Sequence, residues 1–145
     1  MLEKIEIRFL LCHIHSTSAR LRFLGFHHSQ PVNGAQGYVC APEPLPPLVT
    51  LLESPEQPLS VHPAAALQQL IQQLQIQDRQ LSIVPNFKVW VEAPRRNILL
   101  FLAADTSAEP FPPPTNAYWL ELPESWHISA LERDLLREAY EALLC

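Results

Sequence analysis

Ile98-Leu99-Leu100-Phe101-Leu102 is an unbroken apolar run of β-compatible residues. A strand that is apolar on both faces is covered on both, so this run reads as the central strand of a sheet. On its N-terminal side, Phe87-Lys88-Val89-Trp90-Val91 reads as an alternating strand, and Pro94-Arg95-Arg96-Asn97 as the turn between the two. On its C-terminal side a proline-rich loop, Asp105 to Asn116, leads to Ala117-Tyr118-Trp119-Leu120-Glu121-Leu122, a further strand that Pro123 stops.

Nearer the N-terminus, Ile5, Ile7, Phe9 and Leu11 share one face at period two. The pattern breaks at Ser16-Thr17-Ser18 and resumes with Ala19, Leu21 and Phe23, which is a hairpin signal. A turn near Thr17 pairs His13 roughly with Arg20. Leu48 to Leu52 reads as a short strand between the prolines of Ala41 to Pro47 and the loop Glu53 to Ser60. Two helices complete the pattern. Pro63 suits a first helical position, and Leu67, Leu70, Ile71 and Leu74 recur at helical spacing, giving a helix over about 63–77. Ser129 with Glu132 forms a capping-box signature for a helix over about 130–144, with Leu131, Leu135, Leu136 and Ala139 as its apolar stripe and Glu132 on its solvated side.

Strands, helix, strands, helix is the order of an α+β domain. The expectation is a mostly antiparallel sheet with both main helices on one face. The 145 residues suit a single domain, 1–145, with a weak subdivision near 55–62. Fifteen prolines stand against three glycines, but eight of them fall in the stretches 42–47 and 110–114. The excess therefore describes two stiff loops rather than a disordered chain.

Composition narrows the function classes. No run approaches the roughly 20 apolar residues of a membrane-spanning helix. A net charge of −5 with only Lys4 and Lys88 among the lysines speaks against nucleic acid. Three scattered cysteines, Cys12, Cys40 and Cys145, make neither a disulfide framework nor a zinc ribbon, and a cytoplasmic setting is expected. No glycine-rich phosphate loop and no nucleophile elbow is present.

His13 and His15, two apart on a strand, project to one side and are the candidate ligands for a divalent metal. No acid lies near them in sequence. His27 falls about 23 Å away along the hairpin at about 3.3 Å per residue. Trp90, Trp119, Trp126 and Phe111 are the candidate interaction surface, since tryptophan on a polar strand face often marks an interface. The stretch Phe111 to Thr115 is similar to the phenylalanine-led polyproline ligands of cytoskeletal adaptors, without their last proline. Alternatively, Phe111 anchors a stiff loop on its own domain. With no catalytic motif and no resident cofactor expected, the leading expectation is a non-enzymatic protein-association domain, with a homodimer as one form of it. The alternatives are a metal-binding protein or metal-dependent enzyme built on His13 and His15, and a small-molecule domain with an aromatic-lined pocket.

Overall fold

The structure is a computed structural model that describes residues 4–32, 35–41, 45, 50–52, 62–76, 80–94 and 96–144. The strands are β1 (Lys4–His15), β2 (Leu21–Val32), β3 (Ala35–Tyr38), β4 (Cys40–Ala41), β5 (Thr50–Leu52), β6 (Ser82–Ala93), β7 (Arg96–Ser107) and β8 (Ala117–Leu120). The helices are α1 (Pro63–Leu74) and α2 (Ala130–Leu144), with a 3₁₀ helix, Leu122–His127, ahead of α2. The protein is α+β, with one mostly antiparallel sheet and two main helices. No described helix is long and apolar enough to cross a membrane.

Strand order is β3-β2-β1-β7-β6-β5, with β4 added to β1 and β8 to β2. The run Ile98 to Leu102 lies in β7, between β1 and β6, and is buried throughout. The β1–β7 pair is parallel over its whole length, from Lys4↔Arg96 to His15↔Ser107, and every other pairing among the described residues is antiparallel. Strands from both sides of residues 55–62 thus share one sheet, and residues 55–61 themselves lie outside the described residues. So does most of the first proline-rich stretch.

The two helices do not share a face. Successive residues of a strand point to opposite sides. In β1, Phe9 and Leu11 pack with Leu67, Leu70 and Ile71 of α1. Leu10 and Cys12 pack with Leu135, Leu136 and Ala139 of α2. A central strand that is apolar at every position has two faces to cover, and one helix takes each.

Local signals set the element ends. The His62 side chain accepts a hydrogen bond from the Ala64 N–H at 3.2 Å and caps α1. The helix stops at Leu74, short of the expected 77, because Gln75 turns left-handed at φ 60° while the Ile76 N–H reaches back to the Ile71 carbonyl. The turn at residues 16–18 is as the sequence suggests, but its register pairs His13 with Arg22 rather than Arg20. The strand read at 87–91 is longer, because β6 absorbs Pro85 in a register shift between Ile83 and Lys88.

Glu132 departs from the solvated position expected of it. Ser129 Oγ does accept the Glu132 N–H at 3.2 Å, as a cap should. The carboxylate is buried, however, with Oε1 accepting the Val39 N–H at 3.0 Å and Oε2 accepting the Ser129 hydroxyl at 3.0 Å. The side chain therefore ties the start of α2 to the β3–β4 connection.

Candidate functional site

The parallel pair β1–β7 brings two strand ends together at one end of the sheet. His13 lies beside Asp105 and His15 beside Ser107. The antiparallel hairpin brings Arg22 opposite His13, and Arg20 opposite His15 through the His15 N–H to Arg20 carbonyl bond at 2.9 Å. In the next strand Trp119 of β8 pairs with Leu24. All of these residues fall on the α1 side of the sheet. α1 carries no charged residue, and the charges around His13 and His15 come from the hairpin tip and the end of β7.

His13 is fully buried. Its Nε2 lies 3.1 Å from the Ser107 carbonyl oxygen and 3.0 Å from the Ser107 hydroxyl. A carbonyl only accepts, so Nε2 carries the ring proton and Nδ1 is an orphaned, buried lone pair. Burial holds the ring below the usual histidine range, reinforced by Arg22 and His15 and opposed by Asp105 and the Ser107 carbonyl. The Ser107 hydroxyl approaches the Glu109 carbonyl at 2.8 Å and Asp105 Oδ2 at 3.3 Å. With His13 already a donor toward Ser107, this is no nucleophile–base pair. It is a latch that fixes where β7 leaves the sheet.

His15 is half-buried, and its Nδ1 accepts from the Thr17 and Ser18 N–H groups at 3.2 and 3.1 Å. Those bonds cap the turn and assign the proton of the neutral ring to Nε2. His13 and His15 do share a side of the strand, as their spacing requires. Asp105 is the acid absent from their sequence neighbourhood, and only the parallel pairing brings it near. Even so, among the described residues no group of three His, Cys, Asp or Glu gathers in a way that suits a metal ion.

Around this latch opens a cleft of about 800 Å³, lined by His15, Ser18, Arg20, Arg22, Glu109 and Trp119, with Ala108 and Pro110 at its edge. The Trp119 ring is set by its Nε1–H donating to the Phe111 carbonyl at 2.9 Å, and by edge-on packing against Phe111 at 4.9 Å and His13 at 6.2 Å. Arg22 is half-buried and has no ion-pair partner among the described residues. Arg20 is bonded to Glu121. Sequence reasoning named His15 and Trp119 but passed over Arg20 and Arg22, which looked like the outward residues of an ordinary hairpin.

The four residues expected on an interaction surface are scattered by the fold. Trp90 is 5% exposed and Phe111 is 1% exposed, both in the core on the α1 side. Phe111 is thus the anchor of its own loop and is not available as a polyproline ligand. Trp119 is half-buried at the cleft, and Trp126 is 78% exposed on the 3₁₀ helix, edge-on to His127.

No family model and no curated protein sequence matches the chain. The chain is similar to a solved structure, the Ap4A hydrolase of C. elegans, with 18% identity over 97% of this chain and 99% of that one, at a TM-score of 0.49. The expectation of a non-enzymatic association domain, homodimeric or otherwise, is corrected on the structure: two of the four side chains on which it rested, Trp90 and Phe111, are in the core.

Proposed function

We propose that this protein binds a small anionic molecule in the cleft at the C-terminal ends of β1 and β7. Arg22 holds the anion with Arg20 and the His15 Nε2–H beside it, and a flat or apolar portion of the ligand lies on Trp119. The single observation that supports this is Arg22: a half-buried guanidinium that lines the cleft and forms no ion pair with a described residue, although Glu109 lines the same cleft. Partial desolvation of an unpaired charge is unfavourable, and a bound carboxylate or phosphate relieves it with two parallel hydrogen bonds. The ends of parallel strands are also where open α/β sheets commonly present ligand crevices. A reducing, cytoplasmic setting suits the buried thiols of Cys12 and Cys40.

The test is a titration with phenyl phosphate, which carries both a ring and a dianion, followed at the Trp119 indole N–H by NMR. Phenol and inorganic phosphate serve as its two halves. Phenyl phosphate is expected to bind more tightly than either half and to move the Trp119 signal. Arg22→Gln should weaken it about 10-fold or more, the scale of a charge-assisted hydrogen bond. An unmoved Trp119 signal, or equal affinity in Arg22→Gln, would refute the assignment.

A further inference from the structure

The two arginines of the cleft are not equivalent. Arg22 is committed to it, whereas Arg20 is shared. Arg20 lines the cleft on one side and, on the other, a second pocket of about 430 Å³ with Phe23, Glu121, Leu122, Pro123 and Tyr140. Its Nε–H donates to Glu121 Oε1 across the divide.

Of the two partners, Glu121 is the one held in place. It follows the buried Leu120 at the end of β8, its N–H donates to Glu124 Oε1 at 2.9 Å, and its carbonyl accepts the Glu124 N–H at 2.9 Å. The Arg20 side chain is 56% exposed and springs from a turn, next to Ala19 with its left-handed φ of 60°. The arginine is therefore the partner that swings, and the carboxylate is the partner that waits.

We propose that Glu121 sets the affinity of the cleft by competing, as an internal carboxylate, with the incoming anion for Arg20. This rests on the anion-binding reading above. Glu121 is a positioning residue: it touches Arg20, not the ligand. A monoanion is satisfied by Arg22 alone and leaves the Arg20–Glu121 pair intact. A dianion recruits Arg20 and must displace Glu121.

Ligand charge therefore separates this role from a purely structural one. In Glu121→Gln, phenyl phosphate should bind about two- to five-fold more tightly, the range that exposed ion pairs span. The affinity for benzenesulfonate, a monoanion of similar shape, should not change. In Arg20→Gln, phenyl phosphate should fall to near benzenesulfonate affinity, and adding Glu121→Gln to Arg20→Gln should do nothing more. The proposal is overturned if Glu121→Gln leaves phenyl phosphate affinity unchanged or weaker, or if it shifts both ligands alike. If Arg22→Gln still weakens binding in that case, the cleft stands and only the role of Glu121 fails. If the unaltered protein binds neither ligand, the cleft reading itself is lost, and this inference with it.

Discussion

His13 and Ser107 are 94 positions apart in the chain, yet the His13 Nε2–H meets both the carbonyl and the hydroxyl oxygen of Ser107, at 3.1 and 3.0 Å. That contact joins the ends of the two parallel strands, and burial keeps the ring neutral, because a charged ring would place a second proton on the buried Nδ1, which has no partner. Burial lowers the His13 pKa below its ordinary 6.5. Between the folded and unfolded values the unfolded chain binds more protons, so stability rises with pH in that window. The contribution is fully present above about pH 6.5 and is lost as pH falls toward the folded value. The melting temperature should drop on acidification below pH 6.5, and His13→Gln, which cannot titrate there, should show a shallower drop. Parallel melting curves of the two proteins from pH 7.5 to 5 check this. Equal slopes would show that His13 is not the titrating group.

Glu132 offers a second, opposite pH signature. Burial raises its pKa above the ordinary 4.5, while bonds from the Val39, Cys40 and Ser129 backbone and from the Ser129 hydroxyl pull it back. A raised carboxyl pKa means that its ionisation costs stability as pH rises above 4.5. Relative to Glu132→Gln, the native protein should therefore lose stability from pH 4.5 upward. Glu132→Ala should destabilise by about 1–3 kcal/mol, because the buried Val39 N–H is left without an acceptor. Denaturant unfolding of both variants measures each effect.

Gly25 of β2 lies opposite Tyr118 of the neighbouring strand β8. A methyl group there would lie 2.7 Å from Leu120 Cδ2 and 2.7 Å from the Tyr118 ring, closer than real contacts allow. Gly25→Ala should destabilise by about 1–3 kcal/mol through displacement of those two side chains. A change below about 0.5 kcal/mol in urea unfolding would mean that β8 moves aside freely.

Cys12 and Cys40 should be inert in the folded protein. Burial pushes the Cys12 thiol up to about 12, with Asp105 adding to it. Burial does the same to Cys40, also to about 12, although Arg8 works against it. At pH 8 the thiolate fraction is then about one in ten thousand. Iodoacetamide labelling followed by peptide mapping should leave both cysteines unmodified in the native state and modify both in urea. Rapid native labelling of either would contradict its burial.

Much of the fold is legible in the residues because its signals are local. Period-two alternation located β1, and the apolar run Ile98 to Leu102 located the central strand, since each reports only how its own segment is covered. The polar break at residues 16–18 and the Ser129 cap work over three or four residues and could be read directly. Less of the site was legible. His15 and Trp119 stood out as residue types, but Arg20 and Arg22 looked like solvated hairpin residues, and no local pattern distinguishes a solvated arginine from one lining a cleft. Glu132 failed as an expectation for the same reason. Its spacing from Ser129 is that of a capping box, whereas its burial depends on Val39, far away in the chain.

The sequence by itself thus determined the two main helices, the strands that became β1, β6, β7 and β8, the central place of β7 and the mixed α+β class, because these follow from short-range periodicity and backbone chemistry; the stretch 30–37, which reads as a loop, instead holds the end of β2 and most of β3. Tertiary structure alone decided that β1 and β7 run parallel, that α1 and α2 take opposite faces, and that Asp105, Ser107, Arg22 and Trp119 surround His13 and His15. Strand pairing across more than 90 residues is set by how two whole faces of a sheet are covered, and no single segment carries that information.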